Sequence, residues 1–316
     1  MAYIPASRPP PERKHPFMFQ IATFDAGAGP VVGLTRDGGF YASQTFGSMR
    51  EILEQWSLAE EKLTTAAERM ATREPWRQAR LLAPLPDPRN IYIAGANYTD
   101  HVAEMSRLMS KDLPASRVSP APWFTLKSST CVTGPGSRVA MPQGVTRLDW
   151  EVELAVIIGK PADRVPADRS LQHVAGYAVA NDLSARDRMF REWEEPGSLF
   201  RADWIGQKSF AGACPMGPAI TPASAIADVQ DLSMKLWVNG ELMQDSTTAN
   251  MIFGVAELVS HLSHSVPLLP GDVILTGTPA GVGAARNRYL RPGDHVRQWI
   301  DQIGEFAFTI GEAAPC

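Results

Sequence analysis

The clearest pattern in the chain is Asp149-Trp150-Glu151-Val152-Glu153-Leu154-Ala155-Val156-Ile157-Ile158-Gly159, where acidic and apolar residues alternate and then give way to a purely apolar stretch. Period-two alternation puts Asp149, Glu151 and Glu153 on one face of a strand and Trp150, Val152 and Leu154 on the other. The apolar stretch that follows is what a strand needs when both of its faces are covered. Further strands are expected at Phe19 to Thr23, Val31 to Leu34, Ile91 to Ala94, Val174 to Ala180, Ser233 to Val238, Asp272 to Leu275, Val296 to Ile300 and Glu305 to Ile310. Val238-Asn239-Gly240-Glu241 predicts a hairpin, because Asn-Gly meets the positive φ that a type I′ turn demands. Leu53, Trp56, Leu63, Ala67 and Met70 predict a helix from Met49 to Met70, opened by Ser48 and Glu51 as a capping box. Val255, Leu258, Val259 and Leu262 predict a second, short amphipathic helix.

Strands outnumber helices and do not alternate with them, so the expected fold class is α+β, predominantly β, and not a doubly wound parallel sheet. Pro84-Leu85-Pro86-Asp87-Pro88 blocks regular structure with a proline at every second position. It divides residues 1–85, which include an irregular Pro-rich arm over 5–16, from a second domain over 86–316.

Composition narrows the function. The 316 residues are 44% hydrophobic, as in ordinary globular proteins. A net charge of −4 and a pI near 5.9 argue against a nucleic-acid partner, which leaves a basic footprint. Cys131, Cys214 and Cys316 form neither a metal-like pairing nor a disulfide framework. The stretch from Met1 to Phe19 is Pro-rich and charged, with no signal-peptide core, and no segment reaches the roughly 18 apolar residues of a membrane span. A cytoplasmic protein with no membrane partner is expected.

Candidate chemistry follows the strands. Carboxylates stacked at Glu151 and Glu153 repel one another, and a hard divalent cation with oxygen ligands would remove that cost; a solvated strand face is the alternative. Asp182, in Asn181-Asp182-Leu183-Ser184-Ala185-Arg186-Asp187, sits at a strand end and could join them, or simply form a turn. In Asn97-Tyr98-Thr99-Asp100-His101-Val102-Ala103-Glu104-Met105, a helix would put His101 and Glu104 on one face, either as a base and its orienting carboxylate or as a surface pair. Leu275-Thr276-Gly277-Thr278-Pro279-Ala280-Gly281-Val282-Gly283 offers amides that could hold an anion but lacks the ending of a nucleotide-binding P-loop. Lys127 and Lys208 lie in uncharged surroundings, as site residues or as ordinary surface lysines.

The order of these elements is more specific than any one of them. Asn-Tyr-x-x-His-x-x-Glu, Phe-x-x-Lys, Glu-x-Glu-Leu, Asn-Asp-x-Ser-Ala-Arg-Asp, Lys-Ser-Phe and Pro-Gly-Asp-Val-Ile-x-Thr-Gly-Thr-Pro-x-Gly-Val-Gly together resemble the fumarylacetoacetate hydrolase family, from about Ile91 to Ile310. The resemblance implies a mixed β-roll catalytic domain behind a small, variable N-terminal α/β domain, a homodimer, and one divalent cation, commonly Mg²⁺, with Mn²⁺ or Ca²⁺ as alternatives. By matching motif, Glu151, Glu153 and Asp182 take the metal-ligand positions. His101 and Glu104 take the dyad that activates water or moves a substrate proton, and Lys208 the active-site lysine. Arg186 and Thr278 fall near the substrate's carboxylate and keto oxygens, with Lys127 as a further substrate contact.

Two positions depart from the family pattern. Met189 stands where many hydrolytic members carry a Gln, and a thioether donates no hydrogen bond. Asn97 stands where fumarylacetoacetase itself is expected to carry a carboxylate. The segment Phe190 to Ile205 is also longer than in the simplest members. The expected activity is hydrolytic carbon–carbon cleavage of a 2,4-diketo acid of the acylpyruvate kind, in catabolism of aromatic or sugar-acid compounds. His101 would activate the water and Lys208 would steady the oxyanion. Alternatives are a hydratase, decarboxylase or isomerase working through an enolate, and a non-catalytic, metal-stabilised binding protein. Residues 105–122, rich in Ser and Pro, are expected to form a mobile lid over the site, with a plain surface connection as the alternative.

Overall fold

The structure, a computed structural model, describes residues 19–109 and 119–313. Strands β1 (Gln20–Asp25), β2 (Pro30–Arg36) and β3 (Gly39–Ala42) form an antiparallel meander, followed by helices α1 (Met49–Glu54) and α2 (Trp56–Glu68) and the short β4 (Arg80–Leu81). Strand β5 (Ile91–Gly95) leads into α3 (Thr99–Met109), and β6 (Trp123–Lys127) returns antiparallel to β5. Short strands β7 (Val132–Thr133), β8 (Arg138–Ala140) and β9 (Leu148–Asp149) precede β10 (Val152–Ile158). Next come α4 (Ala167–Ser170), β11 (Val174–Asn181), β12 (Ser184–Ala185), α5 (Trp204–Lys208) and β13 (Cys214–Pro222). The hairpin of β14 (Ser233–Val238) and β15 (Glu241–Thr247), helix α6 (Val255–Ser265), strand β16 (Val273–Leu275), the turn α7 (Gly283–Arg286) and the pair β17 (His295–Ile300) and β18 (Gly304–Gly311) complete it.

An 11-stranded sheet in the order β3-β2-β1-β13-β11-β10-β16-β5-β6, with β4 and β7 at its side, is the middle layer. A five-stranded sheet, β15-β14-β17-β18-β8, packs on one face through Leu154, Val179, Leu236, Val296 and Phe308. Helices α1 and α2 cover the other through Ile52, Leu53, Trp56 and Leu63, which share a core with Ile93, Ala155, Ile157 and Ile220. Strand β10 lies between the two cores, and all seven of its residues are buried. That is the reason for its unbroken apolar run. The fold is the expected mixed one, dominated by sheet.

Several local expectations changed. The helix from Met49 is divided at Gln55, which leaves helical geometry at φ −113° and ψ 28° although the apolar face continues through the break. Ser48 caps it as expected, accepting from the Glu51 amide, but the Glu51 carboxylate reaches the Gly47 amide instead of closing the box on Ser48. Asn239 and Gly240 adopt φ of 52° and 84° in the β14–β15 turn. Strand β1 pairs with β13 at Ile21↔Ile220, so residues on both sides of Pro84–Pro88 share one sheet and one core. The Pro-rich arm lies outside the described residues.

Candidate active site

The site forms where β10 and β11 meet. Their antiparallel register, with Val152 opposite Asn181 and Glu153 opposite Ala180, brings the residue after β11 beside the residue before β10. The Asp182 amide donates to the Glu151 carbonyl at 2.9 Å. Odd-numbered positions of β10 face the α1–α2 side of the sheet, so Glu151 and Glu153 occupy the polar end of a face that continues as Ala155 and Ile157. Carboxylate oxygens of Glu151, Glu153 and Asp182, all buried, lie within 4.8 Å of one another.

Asp149 does not join them, contrary to the one-face reading. The strand is interrupted at Trp150 and Glu151, and the Asp149 carboxylate turns to the amides of Gly283 (2.6 Å) and Ala284 (3.0 Å) and to Arg186 Nε (2.9 Å). Arg186 in turn reaches Glu151 Oε1. It is thus tied to two carboxylates of the chain itself. Asp149 is a brace: it fixes the guanidinium on one side and the Gly-rich loop on the other.

The loop does hold anions, and they are the protein's own side chains. Gly277 donates its amide to Glu153 Oε2 at 2.7 Å, and Gly281 donates to both oxygens of Glu104 at 3.0 and 3.1 Å. Gly281 is required here: its φ is +101°, and a Cβ would stand 2.1 Å from the Met243 carbonyl oxygen. Thr278 Oγ1 donates to the Val152 carbonyl and accepts from Gln244 Nε2, both at 2.9 Å, so its hydroxyl is committed within the fold.

Neither lysine is a surface residue. Lys208 Nζ, on α5, donates to Glu151 Oε2 at 2.8 Å and bonds Asp182 Oδ2. Lys127 Nζ, at the end of β6, stands 2.6 Å from Asp182 Oδ1 and donates to the Ala213 carbonyl at 2.6 Å. Its side chain is fully buried behind Asp182 and does not line the cavity, so it steadies the carboxylate from beneath instead of meeting a ligand.

Burial opposes ionisation of Glu151, but the adjacent Lys208 and Arg186 outweigh it and hold that carboxyl well below its usual range. Burial also works against the Lys208 ammonium, and Asp182 and Glu151 overcome it, raising its pKa. Glu153 differs. Burial first, then Asp182 and Glu151, push it well above the ordinary carboxylate value, and among the described residues no ion pair reaches it. An all-oxygen set with one carboxylate short of positive charge fits a hard divalent cation, and Glu151, Glu153 and Asp182 are the residues that would hold it.

His101 and Glu104 both lie on α3, with His101 Nδ1 3.7 Å from Glu104 Oε2. His101 Nδ1 is buried with no hydrogen-bond partner among the described residues. Burial raises Glu104, but His101, the Gly281 amide and Arg286 prevail and hold its carboxyl below its usual value. His101, Arg186, Lys208, Thr278 and the three acidic residues all face one cavity of about 430 Å³. Met189 lines it as well. Asn97 does not act as a ligand. Its amide donates to the carbonyls of Phe253 and Thr276 and accepts from the Phe253 amide, stapling three segments behind the site.

Three participants were not read from the sequence. They are Asp149 as a brace, Trp204, and Gln207, whose amide is fully buried at the cavity with neither polar atom paired among the described residues. The signal for the latter two is their spacing from Lys208, four residues and one residue before it. Of the expected lid over residues 105–122, residues 110–118 lie outside the described residues, while Met105, Ser119 and Ala121 line the cavity.

The family described as fumarylacetoacetate (FAA) hydrolase, C-terminal, matches residues 90–311. Among relatives, an oxaloacetate tautomerase of Bos taurus, FAHD2B, mitochondrial, is 36% identical over 290 residues, covering 88% of this chain and 86% of that protein. The oxaloacetate tautomerase YisK of Bacillus subtilis is 39% identical over 238 residues, 74% of each chain. Among solved structures, maleylpyruvate hydrolase from Sphingobium sp. SYK-6, in complex with manganese(II) and pyruvate, superposes with a TM-score of 0.73 at 29% identity, covering 93% of this chain and all of that one. No helix among the described residues is long and apolar enough to cross a membrane.

Proposed function

The chain belongs to the fumarylacetoacetate hydrolase family, and on that footing we propose that it is a divalent-cation-dependent enzyme that moves a proton at the carbon beside the 2-carbonyl of a keto acid, interconverting keto and enol forms. The observation that carries this reading is the presence of His101 in the same cavity as the buried Glu151, Glu153 and Asp182. A cation bound there would act as a Lewis acid toward the keto acid's 2-oxygen and carboxylate. Glu104, fixed by the Gly281 amide, is placed to accept a hydrogen bond from His101 Nδ1–H once their 3.7 Å separation shortens, and so sets the tautomer that leaves Nε2 as the base. His101 Nε2 then takes the proton from C3 or returns it. Lys208 and Arg186 keep positive charge beside the 2-oxygen where negative charge develops. The two named tautomerases support the choice of proton transfer over bond cleavage, as does Met189, whose thioether offers no donor to a second developing oxyanion.

Hydrolysis of an acylpyruvate, the reaction expected from the sequence, remains the second reading, together with its place in aromatic or sugar-acid catabolism. It is favoured by the same dyad, which can deprotonate water, and by the likeness to a maleylpyruvate hydrolase. Mg²⁺ as the working ion, a homodimer and a cytoplasmic location belong to the proposal as well. Enol-oxaloacetate and acetylpyruvate, each incubated with Mg²⁺-loaded protein, separate the readings. Faster loss of enol absorbance that disappears in Glu153→Ala supports proton transfer. Release of pyruvate and acetate without any change in the tautomer rate would sink it in favour of hydrolysis.

A further inference from the structure

The carboxylates and their cations occupy one end of the cavity, and the other end is apolar. That apolar end is built into the fold. Trp123 on β6 lies opposite Gly95 on β5, and any Cβ at position 95 would stand 2.4 Å from Trp123 Cε3. The indole therefore rests on bare backbone, a seat that only glycine leaves open. Trp204 packs against it with ring centroids 5.0 Å apart and planes 55° to each other. Met105 on α3 and the buried Phe253 add apolar surface to the same cavity. Trp123 lines the cavity and remains 47% exposed even with Trp204 against it, which leaves aromatic surface open.

Helix α5 sets the distance between the two ends. Trp204 and Lys208 are four residues apart on one helix face, which places them about 6 Å apart along the axis. Lys208 is bonded to Glu151 and Asp182, so a ligand head held at the carboxylates has its tail one helical turn away, at the indoles. Among the described residues, the cations lining the cavity, Arg186 and Lys208, are both already bonded to carboxylates at the head end. Among the described residues, the tail end thus presents flat hydrocarbon faces and no charge for a second carboxylate.

The geometry points to a 2-keto acid whose substituent is flat and apolar, an aryl or unsaturated hydrocarbon group received by Trp123 and Trp204, in preference to one ending in a second carboxylate. This rests on the keto-acid reading above. Three unreactive probes share the same oxamate head and differ only in the tail: oxamate itself, N-oxalylglycine with a carboxylate, and N-phenyloxamate with an aryl ring. Titration calorimetry on the Mg²⁺-loaded protein gives each Kd without turnover. N-phenyloxamate is expected to bind about tenfold or more tighter than oxamate, the scale on which a few buried apolar carbons discriminate. In Trp204→Ala and in Gly95→Ala, which drives the Trp123 ring from its seat, that ratio should fall towards one, with oxamate binding as the control for folding. Equal binding of oxamate and N-phenyloxamate, or tightest binding of N-oxalylglycine, overturns the apolar subsite and leaves the keto-acid reading intact. Failure of all three probes on protein that still takes up Mg²⁺ overturns both.

Discussion

Cation binding to this site should release one proton. Of the three carboxylates, Glu151 is kept ionised by Lys208 and Arg186, and Asp182 faces the ammonium groups of Lys208 and Lys127. Among the described residues Glu153 has no such partner, and it is pushed well above its ordinary value of 4.5 by burial and by its two acidic neighbours. Below the folded value of Glu153 the ion must therefore displace the Glu153 proton. Affinity should rise about tenfold per pH unit in that window, equivalent to about 1.4 kcal/mol, and level off once Glu153 is ionised. The stability of the metal-free protein should run the other way with pH. A carboxyl raised by folding contributes stability that is fully present below 4.5 and is lost as the pH climbs through the folded value. Mg²⁺ titrations by calorimetry, repeated across pH and in buffers of different ionisation enthalpy, measure both the affinity and the proton count. Glu153→Gln should bind the ion weakly and with no pH dependence. An affinity for the wild-type protein that is flat across the acidic range, with no proton released, would refute the assignment of Glu153 as the uncompensated ligand.

Other expectations follow from the same geometry. His101→Ala and Glu104→Ala should each lower kcat by roughly 10²-fold or more, with the double variant little worse than either, because the pair acts as a unit; fully additive losses in steady-state assays would assign them separate roles. Asp149→Asn leaves the Arg186 guanidinium short of a buried counter-charge and should destabilise the protein by about 3 kcal/mol in urea denaturation, a scale known for broken buried pairs; an unchanged midpoint would show that the brace is dispensable. Gln207→Leu removes a buried amide that has no partner among the described residues, so the melting temperature should hold or rise while kcat/KM falls about tenfold; unchanged kcat/KM would mean that the amide does not meet the substrate. Light scattering should give about twice the 34.4 kDa chain mass, and a monomer mass would exclude the homodimer.

Local pattern carried a large part of the fold into view. Period-two alternation and unbroken apolar runs fix strand character within a few residues, and β10, β11, β14, β17 and β18 lie where the sequence puts them, to within a residue or two at their ends. The Asn239-Gly240 turn is equally local, since φ is a property of the residue itself. Strand β13 is not among the expected strands: it carries Pro215, Pro218 and Pro222, which depart from strand patterning, although it lies between β1 and β11 in the sheet. The acidic residues that converge were legible as candidates through the order of motifs along the chain. What only the tertiary structure decided is which partner each one meets. The β10–β11 register places Asp182 at Glu151, whereas the interruption after β9 sends Asp149, two residues earlier in the same alternating pattern, to Arg186 and the Gly283 amide. Lys127 and Lys208 looked alike in sequence, yet one is sealed beneath Asp182 and the other faces the cavity. Trp123 gains its place from Gly95, 28 positions earlier, across a strand pair. These outcomes depend on contacts between segments far apart in the chain, whose energies are set by register and packing, and neither quantity is written in any local stretch of residues.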